Sequence, residues 1–166
     1  MRCTLFAALL TSAVLRTPAH AQDSAATVAP LPRWTLSTLL EVVHAGVESW
    51  GFGPALSLRR DFAGRDRWGV ELRAALPAFG TGGAAAIDLA ATYTSITRGT
   101  EVGAALGGTG FLVGDQSELT GGGVGLYLAG HVTGWLSRGI GLTGGANLRT
   151  AVGTFPGGYA GVAFRF

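Results

Sequence analysis

Apolar and polar side chains alternate with a period of two along most of the chain after residue 33. Val70 and Leu72, for example, alternate with Glu71 and Arg73. This alternation is the pattern of β-strands that have one apolar and one polar face. The chain also holds 28 glycines, all from Gly46 onward, and glycine weakens a helix. The pattern predicts eight strands, at residues 33–43, 51–62, 67–76, 84–96, 101–112, 122–136, 140–152 and 158–166.

The connections between these strands alternate in kind. Residues 63–66, 97–100 and 137–139 are tight polar turns, each with a glycine able to adopt positive φ. Looser segments lie between them, at residues 44–50, 77–83, 113–121 and 153–157. Short turns at one end and longer loops at the other are typical of an up-and-down antiparallel meander, and each strand is long enough to cross a membrane at a tilt.

The polar face of the strands carries nearly all the charges of the predicted meander. In the predicted phases this face holds Glu41, Arg59, Asp61, Glu71, Arg73, Asp88, Glu101, Arg149 and Arg165. A lipocalin-like barrel in water would turn its apolar face inward around a ligand. A membrane barrel would turn these charges into its lumen, where they must pair. The alternation alone leaves both barrels open.

The aromatic residues favour the membrane barrel because they cluster at the strand ends. The short-turn ends hold Trp34, Phe62, Trp68, Tyr93, Trp135, Phe164 and Phe166, and the loop ends hold Trp50, Phe52, Phe79, Phe111, Phe155 and Tyr159. Only Tyr127 lies well inside a strand. Two aromatic belts are what the two membrane interfaces select. The alternative is an ordinary sandwich whose ends are capped by rings.

Several residues refine the expected lumen. Leu39, Val43 and Trp135 are apolar or aromatic residues in the inward phase, which predicts a partly apolar plug or a bulge. Arg60 falls on the outward face beside a turn, where its head group can reach the membrane surface. Small inward residues leave space for the charged side chains. The inward glycines are Gly103, Gly107, Gly123, Gly125, Gly141, Gly145 and Gly161.

Residues 1–21 have the features of a secretory signal peptide. Arg2 provides the positive start, Leu5 to Leu15 is an apolar run, and Ala19-His20-Ala21 is a small-x-small cleavage site. Residues 22–32 then form a linker, expected in the periplasm. Since the one cysteine is Cys3, the mature chain has no cysteine and no disulfide.

The final strand carries the most specific motif. The chain ends on Phe166, with Phe164, Val162 and Ala160 alternating upstream of it and Tyr159 at the start of the strand. This strand resembles the C-terminal assembly signal of bacterial outer-membrane barrels, which assigns Tyr159, Val162, Phe164 and Phe166 to that signal. With its eight strands the chain resembles the small barrels of the outer-membrane protein A and X type, without a periplasmic domain.

The resemblance implies an all-β fold, an eight-stranded antiparallel up-and-down transmembrane β-barrel over residues 33–166. It implies a monomer in the bacterial outer membrane with both termini in the periplasm. The implied partners are outer-membrane lipid, lipopolysaccharide and the barrel-assembly machinery. The expected role is structural or a surface interaction, with a filled lumen. A narrow pore or a conduit for small apolar molecules is the alternative.

Other functions find less support in the residues. Only 13% of the residues are charged, too few for a nucleic-acid-binding face. His131-Val132-Thr133 resembles the His-x-Ser of a lipid A deacylase, and His44 near Glu48 and Ser49 the loop histidine of a lipid A palmitoyltransferase. The deacylase pattern lacks its serine and its downstream acid. We therefore predict no enzyme, no catalytic, cofactor-binding or metal-binding residue, and no cofactor.

Two alternative structures also find little support. Residues 119–137 hold no charge and could be taken for a membrane helix, but they contain six glycines at positions 121, 122, 123, 125, 130 and 134. The Gly-Gly pairs lack the helix and the Gly-Lys-Ser/Thr of a phosphate-binding loop.

Overall fold

The barrel occupies the part of the chain that the structure, a computed structural model, describes: residues 34–45, 49–62, 66–79, 82–115, 119–151 and 153–166. The predicted signal peptide (1–21) and linker (22–32) lie outside these residues. The strands are β1 (Trp34–Ala45), β2 (Ser49–Asp61), β3 (Asp66–Ala75), β4 (Gly82–Thr97), β5 (Thr100–Asp115), β6 (Leu119–Trp135), β7 (Ile140–Thr150) and β8 (Thr154–Arg165).

Each strand pairs antiparallel with its neighbours in sequence, and β1 also pairs with β8. The pairing of Thr35 with Arg165 closes the barrel, and the backbones of Trp34 and Phe166 exchange two hydrogen bonds of 3.1 Å. A two-residue segment, Ala78–Phe79, continues β3 after Pro77, whose ring nitrogen has no hydrogen to donate. The predicted fold class, an eight-stranded antiparallel up-and-down barrel, is confirmed.

The barrel has a turn end, where the predicted tight turns lie, and a loop end, where the predicted longer loops lie. The turn end holds Trp34, Phe166 and the turn at Arg98–Gly99, and the loop end holds Ser49 and Phe79. Arg98 and Gly99 have φ values of 49° and 83°, as a two-residue hairpin turn with both central residues at positive φ requires.

The glycine expected to take positive φ in the second described turn does not do so. Positive φ is absent at Gly139. Instead the hydroxyl of Ser137 accepts hydrogen bonds from the backbone N–H groups of Gly139 and Ile140. The side-chain acceptor replaces the conformational freedom that the sequence suggested.

Most strands extend further into the loop end than the sequence predicted, whereas β3 and β7 end slightly earlier, at Ala75 and Thr150. β5 runs to Asp115 and β6 starts at Leu119, and β8 already begins at Thr154. The loop-end connections are therefore about as short as the turns. The glycines within residues 113–121 and 153–157 do not interrupt the backbone pairing at this end. The register between β5 and β6 does shift between Val113 and Gly114.

The outward face of the barrel is the apolar one. Ile87, Leu89 and Leu106 expose 60, 63 and 62% of their surface, whereas Asp88 and Glu101 on the same strands are buried inside. This arrangement excludes the lipocalin-like alternative, in which the apolar face would line the interior. An apolar exterior around a polar interior is the pattern of a membrane barrel. No helix among the described residues is long and apolar enough to cross a membrane, and residues 119–135 form β6.

The aromatic belt is present at the turn end but incomplete at the loop end. Outward residues at the turn end include Phe62, Trp68, Phe164 and Phe166. At the loop end Trp50 and Phe52 face outward. The prediction was wrong for four other loop-end rings, which face the lumen: Phe79, Phe111, Phe155 and Tyr159. Trp135 at the turn end also faces the lumen, in agreement with its inward phase in the sequence.

The loop-end rings form an apolar layer that fills the lumen. Phe111 stacks on Phe155 at 5.0 Å between ring centres, and Leu39 and the alanines of neighbouring strands pack against them. Val43 is also buried. Leu39 and Val43 thus face the lumen, as their phase predicted, and they do so as part of an apolar plug rather than at a bulge.

The inward glycines permit close approach of neighbouring backbones. A Cβ at Gly107 would overlap the carbonyl oxygen of Leu89, and one at Gly161 would overlap that of Thr38. At Gly103 the Cβ would instead meet the ring of His131. The prediction that small residues leave space for side chains holds at Gly103. At Gly107 and Gly161 the strong curvature of a narrow barrel requires glycine.

Candidate functional site: the charged lumen

Among the residues whose side chains the structure describes, ten charged ones are buried in the lumen below the apolar layer. They comprise five carboxylates and five guanidinium groups: Glu41, Asp61, Glu71, Asp88, Glu101, Arg59, Arg67, Arg73, Arg149 and Arg165. Every residue of the predicted lumen network is among them. Arg67 is the addition, and its odd position in β3 shares the phase of Glu71 and Arg73. The lumen is therefore balanced in formal charge.

Glu41 and Asp88 organise the middle of the lumen. Arg149 reaches from β7 to both carboxylates, with its Nε at 3.0 Å from one oxygen of Asp88 and its Nη1 bonded to Glu41. Arg73 donates to Glu41 at 2.8 Å, and Asn147 donates at 2.7 Å. β1, β3, β4 and β7 are thereby joined across the lumen. Arginine suits this role because its planar fork can serve two carboxylates at once.

A second ionic cluster lies nearer the turn end. Glu101 is paired with both Arg59 and Arg165, and Asp61 is paired with Arg59 at 3.0 Å and Arg67 at 3.4 Å. These contacts join β2, β3, β5 and β8. An isolated charge in such an enclosed space would be very costly, so each of these five residues depends on the others for its pairing.

Rings cover several of the guanidinium groups. Arg73 lies 4.0 Å from the ring centre of Tyr159, and Arg165 lies 3.6 Å from that of Trp135. Arg149 lies 5.5 Å from the ring centre of Tyr127, which is fully buried. The cation–π contacts explain why Tyr159 and Trp135 face inward rather than joining the interfacial belts.

Glu71 differs from the other lumen carboxylates. Its described partner is the hydroxyl of Ser57, which donates at 2.6 Å, and it forms no ion pair with the described residues. It borders a polar cavity of about 20 Å³ between the two ionic clusters, together with Arg59 and Arg73. A cavity of that size holds about one water molecule.

The two histidines considered for catalysis lie in different surroundings. His131 is buried beside Arg59, with 2.8 Å between the nitrogens, and 3.7 Å from Glu101. The hydroxyl of Thr133 donates to that of Thr143 and is not directed at His131. His44 packs against Trp50 at the loop end, with the two rings tilted by 60° and their centres 4.5 Å apart. His131 therefore belongs to the ionic cluster.

The residues assigned to the assembly signal divide between the two faces of β8. Phe164 and Phe166 are exposed on the outward face, 39 and 63%, and Val162 shares their phase. Tyr159 has the opposite phase and lies against Arg73 in the lumen. The outward members are the ones available to other molecules.

The lumen is thus closed in layers, apolar at the loop end and ionic in the middle and at the turn end. Side chains fill it, as expected when only eight strands close a barrel. The arrangement can hold the wall together and exclude solutes. A continuous aqueous path would require several of the ion pairs to separate.

Solved structures of bacterial outer-membrane proteins have the same fold. OprG from Pseudomonas aeruginosa is 11% identical, with a TM-score of 0.61, covering 82% of this chain and 97% of that one. Ail of Yersinia pestis is 12% identical, with a TM-score of 0.59, covering 80 and 96%. Neisserial surface protein A is 17% identical, with a TM-score of 0.55 and the same coverage as Ail.

No family model matches the sequence, and neither does any curated protein sequence. The structural likeness, at these identities, concerns the fold. The chain has the fold of the small eight-stranded outer-membrane β-barrels.

Proposed function

We propose that the protein is an integral outer-membrane β-barrel whose lumen is closed by its own side chains, with a structural or surface-interaction role. The observation that carries this proposal is the balanced set of five buried carboxylates and five buried arginines. A closed ionic network fills the lumen and blocks passage, because separating its partners would leave unpaired buried charges. The apolar exterior and the aromatic rings at the turn end support the membrane setting.

The remaining features of the proposal follow from the sequence. Residues 1–21 direct export, residues 22–32 lie in the periplasm, and both termini of the mature monomer are periplasmic. The barrel-assembly machinery inserts the chain through the outward side chains of β8. Its surroundings are then outer-membrane phospholipid and lipopolysaccharide.

The loop end limits which surface partners are plausible. Ail has also been crystallised with the heparin analogue sucrose octasulfate, a highly anionic ligand. In this chain the loop-end segments 44–50, 76–83, 113–121 and 151–157 contain no lysine or arginine, but they contain Glu48, Asp115 and Glu118. A surface interaction of this protein is therefore proposed with neutral or cationic groups rather than with sulfated polymers.

Electrical recording tests the closed lumen. The purified protein, folded as judged by a heat-dependent shift in gel migration, is inserted into planar bilayers. We expect no stable conductance, since the ion pairs around Glu41 and Glu101 block the lumen. Steady channels in the wild type, present in proportion to the folded protein and absent from a mock preparation, would contradict the proposal and favour a narrow pore.

A conduit for small apolar molecules is the second candidate, and one observation favours it. The loop end has an apolar cup of about 220 Å³ lined by Phe79, Phe111, Val113 and Phe155. The ionic layers below it offer no apolar path onward. We therefore expect a small apolar fluorophore to bind at the cup without crossing liposomes that contain the protein. Transport of the fluorophore would favour the conduit.

A further inference from the structure

The charges outside the lumen are unevenly divided between the two ends of the barrel. In the sequence from residue 33 onward, the arginines other than the five buried ones all belong to the turn-end segments: Arg33, Arg60, Arg65, Arg98 and Arg138. The loop-end segments contain three acids and no lysine or arginine. From residue 22 onward the chain has ten arginines and ten acids, and this formal neutrality conceals the separation.

At the turn end, the structure shows a stronger excess of exposed positive charge than the sequence alone indicates. Arg60, Arg98 and Arg138 have exposed side chains. The acids Asp61 and Glu101, which lie at the same end, are buried in the lumen and paired with lumen arginines. Cations thus face outward at this end while nearby carboxylates face inward. The turn segments hold one further acid, Asp66, beside Arg65.

Arg60 lies at the edge of the apolar exterior. It follows Leu58 on the outward face of β2 and precedes Phe62, and both neighbours are partly exposed. Its guanidinium lies 5.3 Å from the ring centre of Trp34. A long side chain in this position covers apolar surface with its stem and places its charge at the level of lipid head groups.

We propose that the turn end binds negatively charged phospholipid head groups through Arg60, Arg98 and Arg138. Guanidinium groups match the phosphodiester in geometry and charge. The surrounding rings, such as Trp68 and Phe166, lie where the lipid glycerol region would contact them. The outward direction of Arg60, along the apolar wall, favours a lipid over a cell-wall polymer below the barrel. This inference rests on the proposed membrane insertion.

Tryptophan quenching by brominated lipid tests the proposal. Trp34 and Trp68 lie at the turn end and Trp50 at the loop end. In a Trp50→Phe/Trp135→Phe background the two remaining tryptophans report on the turn end. In a Trp34→Phe/Trp68→Phe/Trp135→Phe background Trp50 alone reports on the loop end. Each protein is inserted into phosphatidylcholine vesicles that contain brominated phosphatidylglycerol, and in parallel into vesicles with brominated phosphatidylcholine.

We expect the turn-end reporter to show a preference for phosphatidylglycerol of about fivefold. The loop-end reporter is expected to show no preference. The triple variant Arg60→Gln/Arg98→Gln/Arg138→Gln should lose the preference, whereas the matched Lys/Lys/Lys variant, which keeps the charge, should retain most of it. Gel migration verifies that each variant is folded.

The outcomes separate this inference from the function on which it rests. Failure of the wild type to insert into either vesicle would overturn both. Insertion without a lipid preference, or a preference that survives the triple glutamine change, would overturn the lipid site alone. A third result would also overturn the lipid site. If the protein shows no lipid preference but sediments with peptidoglycan sacculi, and this sedimentation depends on the three arginines, the cell wall is the partner.

Discussion

The carboxylate of Glu41 accepts hydrogen bonds from Arg73, Arg149 and Asn147, which lie on two other strands. Its side chain is fully buried. Glu71, also buried, accepts from Ser57 alone among the described residues. Two glutamates with similar burial therefore have different numbers of charged partners, and this difference can be measured.

Replacing Glu41 with Gln should lower the free energy of unfolding by about 3 to 5 kcal/mol, since two buried guanidinium groups lose a charged partner. The matched change Glu71→Gln should cost about 1 kcal/mol, the typical contribution of a single hydrogen bond. Urea unfolding in lipid vesicles, followed by tryptophan fluorescence, measures both. Equal losses would show that burial rather than pairing sets the cost.

A second pair of variants distinguishes the two faces of β5. A Cβ at Gly107 would overlap the Leu89 carbonyl, whereas one at Gly108 would lie 3.7 Å from the nearest atom, the carbonyl oxygen of Gly125. Gly107→Ala should destabilise the barrel by about 1 to 3 kcal/mol through forced backbone shifts. Gly108→Ala should be nearly neutral. A similar effect at both positions in urea unfolding would contradict the close-approach explanation.

At the scale of strands, the sequence predicts which face of the sheet a residue occupies. It predicts less well which side chains that residue contacts. Period-two alternation assigned the inward phase to nine charged residues, from Glu41 on β1 to Arg165 on β8, and the side chains of all nine are buried. Arg67 was missed because it stands directly after a turn, although its phase matches that of Arg73. Phe111 and Tyr159 were assigned to a belt from their height along the strand alone. Their odd positions, shared with Glu101 and Arg165, already indicated the lumen.

The outward face of β8 allows a test of the assembly signal. Phe166 and Phe62 are both exposed rings at the turn end, 63 and 49%. If Phe166 acts as part of a recognition signal, Phe166→Ala should reduce the heat-modifiable fraction in outer membranes severalfold, and Phe62→Ala should leave it near the wild-type value. Equal decreases of the heat-modifiable fraction in the two variants would show that Phe166 acts as an ordinary member of the aromatic belt.

At the scale of the whole molecule, the sequence predicted closure and strand number but not the layered lumen. Which guanidinium reaches which carboxylate depends on the stagger of strands around the barrel, as in the bond from Arg149 on β7 to Asp88 on β4. That stagger is a property of the closed barrel, which local alternation does not encode. The near-equal length of turns and loops likewise emerged only from the strand boundaries.

The orientation of the barrel is the remaining whole-molecule prediction. An even number of strands places Trp34 and Phe166 at the same end, and we expect that end, with Arg98, to face the periplasm. Residue 117, between β5 and β6, should then face outside. Arg98→Cys and Ser117→Cys, introduced separately with Cys3 removed by signal cleavage, are treated on intact cells with a membrane-impermeant thiol reagent. Ser117→Cys should be labelled, and Arg98→Cys only after the cells are broken; the reverse pattern would invert the orientation and place the basic turn end at the cell surface.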